Sequence, residues 1–380
     1  MGKREKQKQR HEKGHRGRGS FNYLQEDHDF DDTPRPSPSE EECADDSNEE
    51  KEEEEEEEEE GHENQSHDMP SKFLLYQQSV QSPKGDISYL QKFFLMYVGG
   101  RMPLHLQEDF CGTALLSTEW LRSDSRRTVV GLDLDLEALN WCMESNIPKV
   151  GADGFSRMSL FHGNVLQPLQ SKLNEENLQT DVPESDAPTG SVAQDDKYTK
   201  RNIILPGRDI VCAFNYSCCC LHKRAELVLY FKHAREALST KGGIFVMDLY
   251  GGTSSEHKLR LQRRFPNFTV CQSFTYVWEQ AEFDIIQRKT RISLHFHMKK
   301  EQRKLRHAFS YSWRLWTLPE IRDCLEEAGF RSVHFWVREM PDTTEIMRTE
   351  GFGAGKNVKY EEATSFQQQD SWNAYIVGVA

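Results

Sequence analysis

The sequence of 380 residues has no apolar run that approaches the ~20 residues needed to cross a bilayer. It also lacks the charged and then apolar start that is typical of a secretory signal peptide. Its nine cysteines follow no regular spacing, and the adjacent Cys218, Cys219 and Cys220 are too crowded for a tetrahedral zinc site. We therefore expect reduced thiols, no metal, no membrane association and a cytoplasmic or nuclear location.

Charge is distributed unevenly along the chain. Residues 1–70 hold 10 basic and 25 acidic side chains, including nine consecutive glutamates from Glu52 to Glu60. Residues 71–380 hold 38 basic and 37 acidic side chains and are nearly neutral. Because a run of like charges cannot bury enough apolar surface to fold, we predict a disordered tail over 1–70 and a folded domain over 71–380.

The charge balance also bears on possible partners. A nucleic-acid-binding fold usually carries a basic footprint, and here such a footprint would have to be local or lie within residues 3–18. The tail is compatible with a solubilising spacer. Its basic stretch GKREKQKQR is equally compatible with nuclear targeting or with binding a protein or nucleic-acid partner.

After residue 100, short apolar runs alternate with helical patterns. The apolar runs predict strands over 128–133, 209–214 and 243–252, and a helix is predicted over 136–145. A second helix is predicted from apolar residues at steps of three and four, which are Leu221, Ala225, Val228, Phe231, Ala234 and Leu238. Buried strands that alternate with helices indicate a parallel sheet covered on both faces.

Two regions depart from this alternation. Residues 167–207 are rich in polar residues without an apolar period, which predicts an exposed, flexible insertion. Residues 270–316 contain aromatic and β-branched segments that predict antiparallel strands. A helix is then predicted to begin at Thr317, where Thr317 and Glu320 form a capping box, and two further strands close the chain.

The stretch HLQEDFCGTALLSTEWL, residues 105–121, has the pattern of a strand that turns through Gly112 into a helix. The N–H groups of such a turn and the helix N-terminus favour a polar or anionic ligand. Asp133 ends the next predicted strand 21 residues after Gly112, and an acid at about 20 residues reaches the ribose in dinucleotide-binding folds. The pattern therefore predicts a nucleoside-containing cofactor.

Two cofactor types are possible at such a turn. A nicotinamide site requires three glycines so that pyrophosphate can approach the backbone, whereas this turn has Gly112 alone. The carboxylates of Glu108 and Asp109 would repel pyrophosphate and would attract a cofactor with a cationic amino-acid end. We therefore favour the cationic cofactor over the nicotinamide.

Several motifs resemble those of the class I S-adenosylmethionine-dependent methyltransferases. EDFCGTA, residues 108–114, resembles the family's first motif, acid-x-G-x-G-x-G, with Phe110 and Ala114 in place of the outer glycines. VVGLDLD resembles the second motif, FHGNV the end of the third strand, and DIVCAFNYS and GGIFVMDLYGG the fourth and fifth strands. EDFCGTALLS together with WRLWTLPE is similar to a subfamily of the small-molecule type.

The resemblance covers residues 73–380 apart from the insertion, and it implies a Rossmann-like, doubly wound α/β fold. The sheet would have seven mainly parallel strands with an antiparallel last strand, and segment 270–316 would form an antiparallel β insertion over the active site. The implied cofactor is S-adenosyl-L-methionine. The residues implied to bind it are Glu108, Phe110, Cys111, Gly112, Thr113, Asp133, Leu134, Asn164, Val165 and Phe214.

Within that set, the resemblance implies that Glu108 contacts the methionine amine, Asp133 the ribose and Asn164 the adenine amine. The candidate catalytic residues are Asn215, Tyr216, His222 and Tyr250. The candidate substrate-side residues are Tyr76, Gln81, Tyr276, Trp278, Arg314 and Trp316. For the aromatic members of this last set, packing in the core is an equally good explanation.

We therefore predict in-line methyl transfer to an N or O atom of a small-molecule acceptor. Two other hypotheses stay open, namely a protein or RNA methyltransferase guided by the charged tail and a non-catalytic protein that binds the cofactor. Deleting residues 1–70 would abolish activity, but not cofactor binding, if the tail guides the substrate. A non-catalytic protein would bind the cofactor without turnover.

Overall fold

The computed structural model describes residues 70–174, 205–266, 273–298, 303–344 and 359–380. All of them belong to the unit His67–Ala380. The predicted disordered tail lies outside the described residues except for Pro70, as does most of the insertion predicted over 167–207. None of the described helices is both long enough and apolar enough to span a membrane.

The described residues form helices α1 (Lys72–Ser79), α2 (Pro83–Tyr97), α3 (Leu115–Ser123), α4 (Leu136–Ser145), α5 (Gly154–Arg157), α6 (Arg224–Ala237) and α7 (Leu318–Glu327). They also form strands β1 (His105–Asp109), β2 (Thr128–Asp133), β3 (Met158–His162), β4 (Lys172–Leu173), β5 (Ile210–Ala213), β6 (Ile244–Gly251), β7 (Leu259–Phe265), β8 (Phe274–Gln280), β9 (Lys289–Met298), β10 (Lys304–Arg314), β11 (Ser332–Glu339), β12 (Glu361–Glu362) and β13 (Trp372–Val379).

The larger of two sheets has nine strands in the order β12-β11-β13-β6-β5-β1-β2-β3-β4. Strands β3, β2, β1, β5 and β6 run parallel to one another, whereas β4 is antiparallel to β3 and β13 is antiparallel to both β6 and β11. A mixed α/β fold with a mainly parallel central sheet is thus confirmed. The sheet has nine strands where seven were predicted, because the two-residue strands β4 and β12 add one strand to each edge.

The central strands are apolar because both of their faces are covered. Ile244 and Val246 of β6 belong to one core cluster, while Phe245 and Met247 of the same strand belong to the other. This alternation follows from the two-residue repeat of a strand. The same burial explains why β5 and β6 are near-continuous apolar runs in the sequence.

Helices α6 and α7 show how closely the sequence patterns fix the boundaries. The capping box of Thr317 and Glu320 is present, and α7 begins at the next residue as predicted. Helix α6 runs from Arg224 to Ala237, so the predicted apolar stripe is wrong at both of its ends, Leu221 and Leu238, which have extended backbone. Its buried face is formed by Leu227, Val228, Tyr230, Phe231 and Ala234.

The smaller sheet is antiparallel, with the order β10-β9-β8-β7. It begins at Leu259, before the predicted insertion of 270–316, because Leu259–Phe265 pairs with β8 along its whole length. Alternate residues of β8 and β10 place aromatic side chains on one face, among them Tyr276, Trp278 and Trp313. This face contributes to the cavity described below.

The order of the central strands locates the site. The chain passes from β1 to β2 and β3 on one side and then crosses to β5 and β6 on the other side of β1. In open α/β sheets, ligands bind at such a switch point, outside the carboxyl ends of the strands. A ligand site is therefore expected at the carboxyl ends of β1, β2 and β5.

Candidate functional site

The connection between β1 and α3, residues 110–114, is called the glycine turn here. Phe110, Gly112 and Ala114 have φ angles of 55°, 51° and 49°. These are the three positions at which the sequence motif has glycine, and the backbone is left-handed at each of them although only one is glycine here. A non-glycine residue in this conformation costs roughly 1–2 kcal/mol.

Packing and hydrogen bonds compensate for this strain. The Cys111 N–H donates to the Leu132 carbonyl at 3.2 Å, and the Ala114 N–H donates to the Cys111 carbonyl at 2.8 Å. The ring of Phe110 packs edge-on against Tyr230, and Ala114 is fully buried. Both non-glycine side chains are therefore anchored in the protein interior.

Gly112 is the member of the turn with open space beside it. A Cβ atom built there would meet no atom within 4 Å, so the turn leaves room for a ligand. Its N–H donates to Oδ2 of Asp133 at 2.6 Å. Thr113 accepts a hydrogen bond from Gln77 of α1 at 2.6 Å, which ties the turn to the segment before β1.

Asp133 ends β2 directly beside the glycine turn. Its other oxygen, Oδ1, accepts from the Asp135 N–H at 2.8 Å, and burial raises the pKa of Asp133. Asp135, not Asp133, caps α4 by accepting from the Ala138 N–H at 3.1 Å. The neighbouring Leu134 is 64% exposed, so an apolar side chain stands free beside the carboxylate.

The two acids at the end of β1 have different surroundings. Oε2 of Glu108 accepts from the backbone N–H of Ser117, at 2.9 Å, and from its hydroxyl. In the part of the chain that the structure describes, no donor reaches Oε1 of Glu108. Asp109 accepts from Gln107 at 2.9 Å and from the Tyr230 hydroxyl at 3.0 Å, so its carboxylate belongs to the core. Burial raises the pKa of Glu108 to about 8 and that of Asp109 to about 6.

The loop after β3 joins the same edge. The Gly163 N–H donates to the Asp133 carbonyl at 2.8 Å, which places this loop next to Asp133. Oδ1 of Asn164 accepts from the Leu166 N–H at 2.9 Å and so shapes the loop. Val165 is buried, and its carbonyl accepts from His233 at 3.1 Å.

A cavity of about 250 Å³ lies beyond the ends of β5 and β6, and is called the aromatic cavity here. Ten of its lining residues are aromatic, and they are Tyr76, Tyr89, Phe214, Tyr216, Tyr276, Trp278, Tyr311, Trp313, Tyr360 and Tyr375. Because Phe214 and Tyr216 directly follow β5, which pairs with β1, the cavity and the glycine turn lie at neighbouring strand ends.

The sequence analysis missed the acids of this cavity, Asp86 and Asp248. Asp248 accepts from the N–H groups of Asn215, at 3.0 Å, and Tyr216, at 2.8 Å, and both donors have left-handed backbone. Burial raises the pKa of Asp248 to about 8 and that of Asp86 to about 6. A signal for Asp248 was present, because it is the one charged residue in the buried strand IFVMDLYG.

The predicted substrate-side and catalytic residues fall into two groups. Those that line the cavity are Tyr76, Asn215, Tyr216, Tyr276 and Trp278, and Phe214, which was predicted to bind the cofactor, lines it as well. Those outside its lining are Gln81, His222, Tyr250, Arg314 and Trp316. Of the second group, Tyr250 contacts the lining residue Tyr216 at 4.8 Å between ring centroids, and Gln81 lies between the lining residues Val80 and Ser82.

His222, Arg314 and Trp316 hold the backbone before α6 to the end of β10. His222 interacts with the Ser312 carbonyl at 2.7 Å, and Arg314 donates to the His222 carbonyl at 2.9 Å. Trp316 donates to the Leu221 carbonyl at 3.2 Å. These contacts give the three residues a structural role, and a part in the chemistry stays a prediction.

No protein-family model and no curated protein matches the chain. Solved structures with a similar fold include DesVI of Streptomyces venezuelae, at 13% identity and a TM-score of 0.49, over 80% of this chain and 95% of that one. The sugar N-methyltransferase KedS8 of a Streptoalloteichus species shows 12% identity and a TM-score of 0.48, over 84% and 97%. The aminopentose methyltransferase CalS10 of Micromonospora echinaspora, solved with S-adenosylmethionine, shows 12% and 0.46, over 83% and 99%. Likeness at this level decides nothing about the activity of this chain, so the proposals below depend on its own residues.

Proposed function

We propose that the protein is an S-adenosylmethionine-dependent methyltransferase that transfers a methyl group in line to an N or O atom of a small-molecule acceptor. The observation that carries this proposal is the placement of two features at neighbouring strand ends. One is an open glycine turn flanked by Asp133 and Glu108, and the other is the aromatic cavity.

The residues of the glycine turn fit the cofactor. Open space beside Gly112 admits a ligand against the backbone, and the carboxylate of Asp133 is suited to ribose hydroxyls. The exposed Leu134 offers apolar surface to an adenine ring. Oε1 of Glu108 is suited to the ammonium group of the methionine end, and an amine there would favour the ionised carboxylate.

When bound, S-adenosylmethionine supplies a methyl group on a cationic sulfur that needs no further activation. The chain itself must orient an acceptor atom in line, about 3 Å from that methyl group, and exclude water. The aromatic cavity is suited to orienting an acceptor, because aromatic rings form much of its wall and polar side chains such as Asn215 and Asp248 stand among them. Phe214 and Asn215, which line the cavity directly after β5, would border the place where the acceptor meets the methyl group.

The small volume of the cavity favours a small molecule over a folded macromolecule. Its volume of about 250 Å³ is below the range of roughly 300–1,000 Å³ that is usual for drug-sized ligands. A compact acceptor, or one short side group of a larger molecule, would fill it.

The test is a transfer assay with S-adenosylmethionine carrying a labelled methyl group. The full chain is incubated with separate small-molecule, RNA and protein fractions of a cell extract, beside the Gly112→Asp variant. We expect label in the small-molecule fraction with the parent and none with the variant. Label in the RNA or protein fraction instead would overturn the acceptor class, and binding without any transfer would establish a non-catalytic protein.

A further inference from the structure

In the part of the chain that the structure describes, the aromatic cavity combines ten aromatic rings with two carboxylates and a single basic side chain, that of Arg338. Rings of Tyr216, Trp278 and Tyr311 each lie within 6 Å of the Trp313 ring, centroid to centroid, and form one continuous wall. The faces of Trp and Tyr rings attract a cation within about 6 Å of their centroids. Such a wall is therefore suited to an ammonium group.

The charged residues described in the cavity lining are two acids, Asp86 and Asp248, and one base, Arg338. Arg338 stands over the Tyr360 ring at 4.6 Å, and its charge favours ionisation of Asp86, which also accepts a hydrogen bond from Tyr375. Asp248 lies beside Tyr216, and burial together with the nearby charge of Asp86 raises its pKa. Among the described residues no Lys, Arg or His forms an ion pair with Asp248, which is bonded only to backbone N–H groups.

An ionised carboxylate without a cationic partner is costly to bury. A cationic ligand between Asp248 and the aromatic wall would supply the missing charge, while a neutral ligand of the same shape would not. The cavity should therefore discriminate by charge as well as by size.

We infer that the acceptor is a compact amine that enters as an ammonium ion and binds between Asp248 and the wall of Tyr216, Tyr311 and Trp313. This inference rests on the proposed function and names the substrate class of the same site. It selects nitrogen over oxygen as the methylated atom.

The chemistry balances with the residues at hand and the methyl donor. The ammonium N–H bond breaks and its proton passes to a carboxylate oxygen of Asp248, which leaves a lone pair on nitrogen. That lone pair forms the bond to the methyl carbon, while the carbon–sulfur bond breaks and its electron pair stays on sulfur. The product is an N-methylated ammonium ion with S-adenosylhomocysteine.

The test compares choline with its neutral isostere 3,3-dimethyl-1-butanol, so that charge is the difference between the probes. Affinities are measured from the tryptophan fluorescence of the full chain, both free and loaded with S-adenosylhomocysteine. We expect choline to bind about tenfold more tightly than the alcohol, a ratio equivalent to ~1.4 kcal/mol. Equal affinities, or a preference for the alcohol, would overturn the inference.

Three variants assign the effect. Asp248→Asn should remove the preference for choline, whereas Asp323→Asn, the same change on the exposed face of α7, should keep it. Asp248 also orders a loop, so a second variant is needed. Tyr311→Leu should weaken the binding of choline more than that of the alcohol. If both cavity variants fold and keep the tenfold preference, the inference is wrong.

The failure of this inference can be told apart from the failure of the proposed function. If the folded chain does not bind S-adenosylhomocysteine, the methyltransferase proposal fails, while the comparison of choline with the alcohol on the free chain still reports on the cavity. If S-adenosylhomocysteine binds and the two probes bind equally, the amine is excluded and the methyltransferase stands.

Discussion

The glycine turn and the aromatic cavity lie at neighbouring strand ends, but they are built in different ways. The turn is a continuous stretch of residues whose backbone, at Phe110, Gly112 and Ala114, takes up a left-handed conformation. The cavity is assembled from residues as distant in sequence as Tyr76 and Tyr375. Under the proposed function, the turn would recognise a fixed cofactor through a local stretch of chain, and the cavity would select the acceptor through side chains from distant parts of the sequence.

The largest effect that would sharpen this contrast is expected at Asp133. Asp133→Ala should weaken S-adenosylhomocysteine binding by roughly 10- to 100-fold, because hydrogen bonds to a charged group contribute about 1.5–3 kcal/mol each. Calorimetric titration measures the loss.

The matched control is Asp135→Ala, two residues further on. It removes the cap of α4 and should lower the free energy of unfolding by about 1 kcal/mol, with little change in cofactor affinity. Equal losses of affinity in the two variants would mean that Asp133 acts only through the local fold. Choline binding in the aromatic cavity should be unchanged in both.

A second effect concerns the pH dependence of cofactor binding. Burial holds the pKa of Glu108 at about 8, so the free protein carries a protonated Glu108 at pH 6. A cationic ligand group favours the ionised form, so binding releases a proton, and affinity should rise up to tenfold per pH unit between pH 6 and 8. Titrations at several pH values, in buffers of different ionisation enthalpy, measure both quantities.

Glu108→Gln separates this effect from other titrating groups. The variant should lose the rise of affinity with pH, because its side chain cannot ionise. The stability of the folded protein should depend on pH in the opposite direction from the cofactor affinity. A carboxyl whose pKa is raised in the folded state binds its proton more tightly there, so the stability of the parent falls as pH rises through about 8. The variant should therefore be less destabilised than the parent at alkaline pH, and an unchanged affinity profile would exclude Glu108 from the cofactor site.

The smallest effect tests the strain in the glycine turn. Ala114 is buried with φ of 49°, so Ala114→Gly should relieve strain and raise the free energy of unfolding by about 0.5–1 kcal/mol. Ala234→Gly, the same change inside α6, should lower it by about 1 kcal/mol. Urea denaturation measures both, and a loss of stability in Ala114→Gly would show that the turn is unstrained.

The contrast between the glycine turn and the aromatic cavity also explains which parts of the site could be predicted from the sequence. The strand of residues 128–133, the helix of 136–145 and the turn at Gly112 are local, because each depends on spacing within a few residues. The pattern of charge around Gly112 was local too, and it led to Asp133 beside the turn.

The cavity could not be predicted in this way. Asp86 meets Tyr375 across most of the chain, and no spacing rule connects them. His222 and Arg314 are polar residues near predicted strand ends, yet each is bonded to backbone there. Asp248 was also missed, although it could have been found. A charged residue within an apolar strand is a local signal of a buried acid that needs a partner.

The most direct measurement is the calorimetric titration of the full chain with S-adenosylhomocysteine, beside Gly112→Asp and Gly100→Asp. Both glycines have positive φ, 51° and 70°, and open space beside them, but only Gly112 lies at the strand ends that form the site. We predict micromolar binding by the parent and by Gly100→Asp, and none that is measurable by Gly112→Asp. No binding by the folded parent, or equal binding by all three proteins, would contradict the assignment of the glycine turn as the cofactor site.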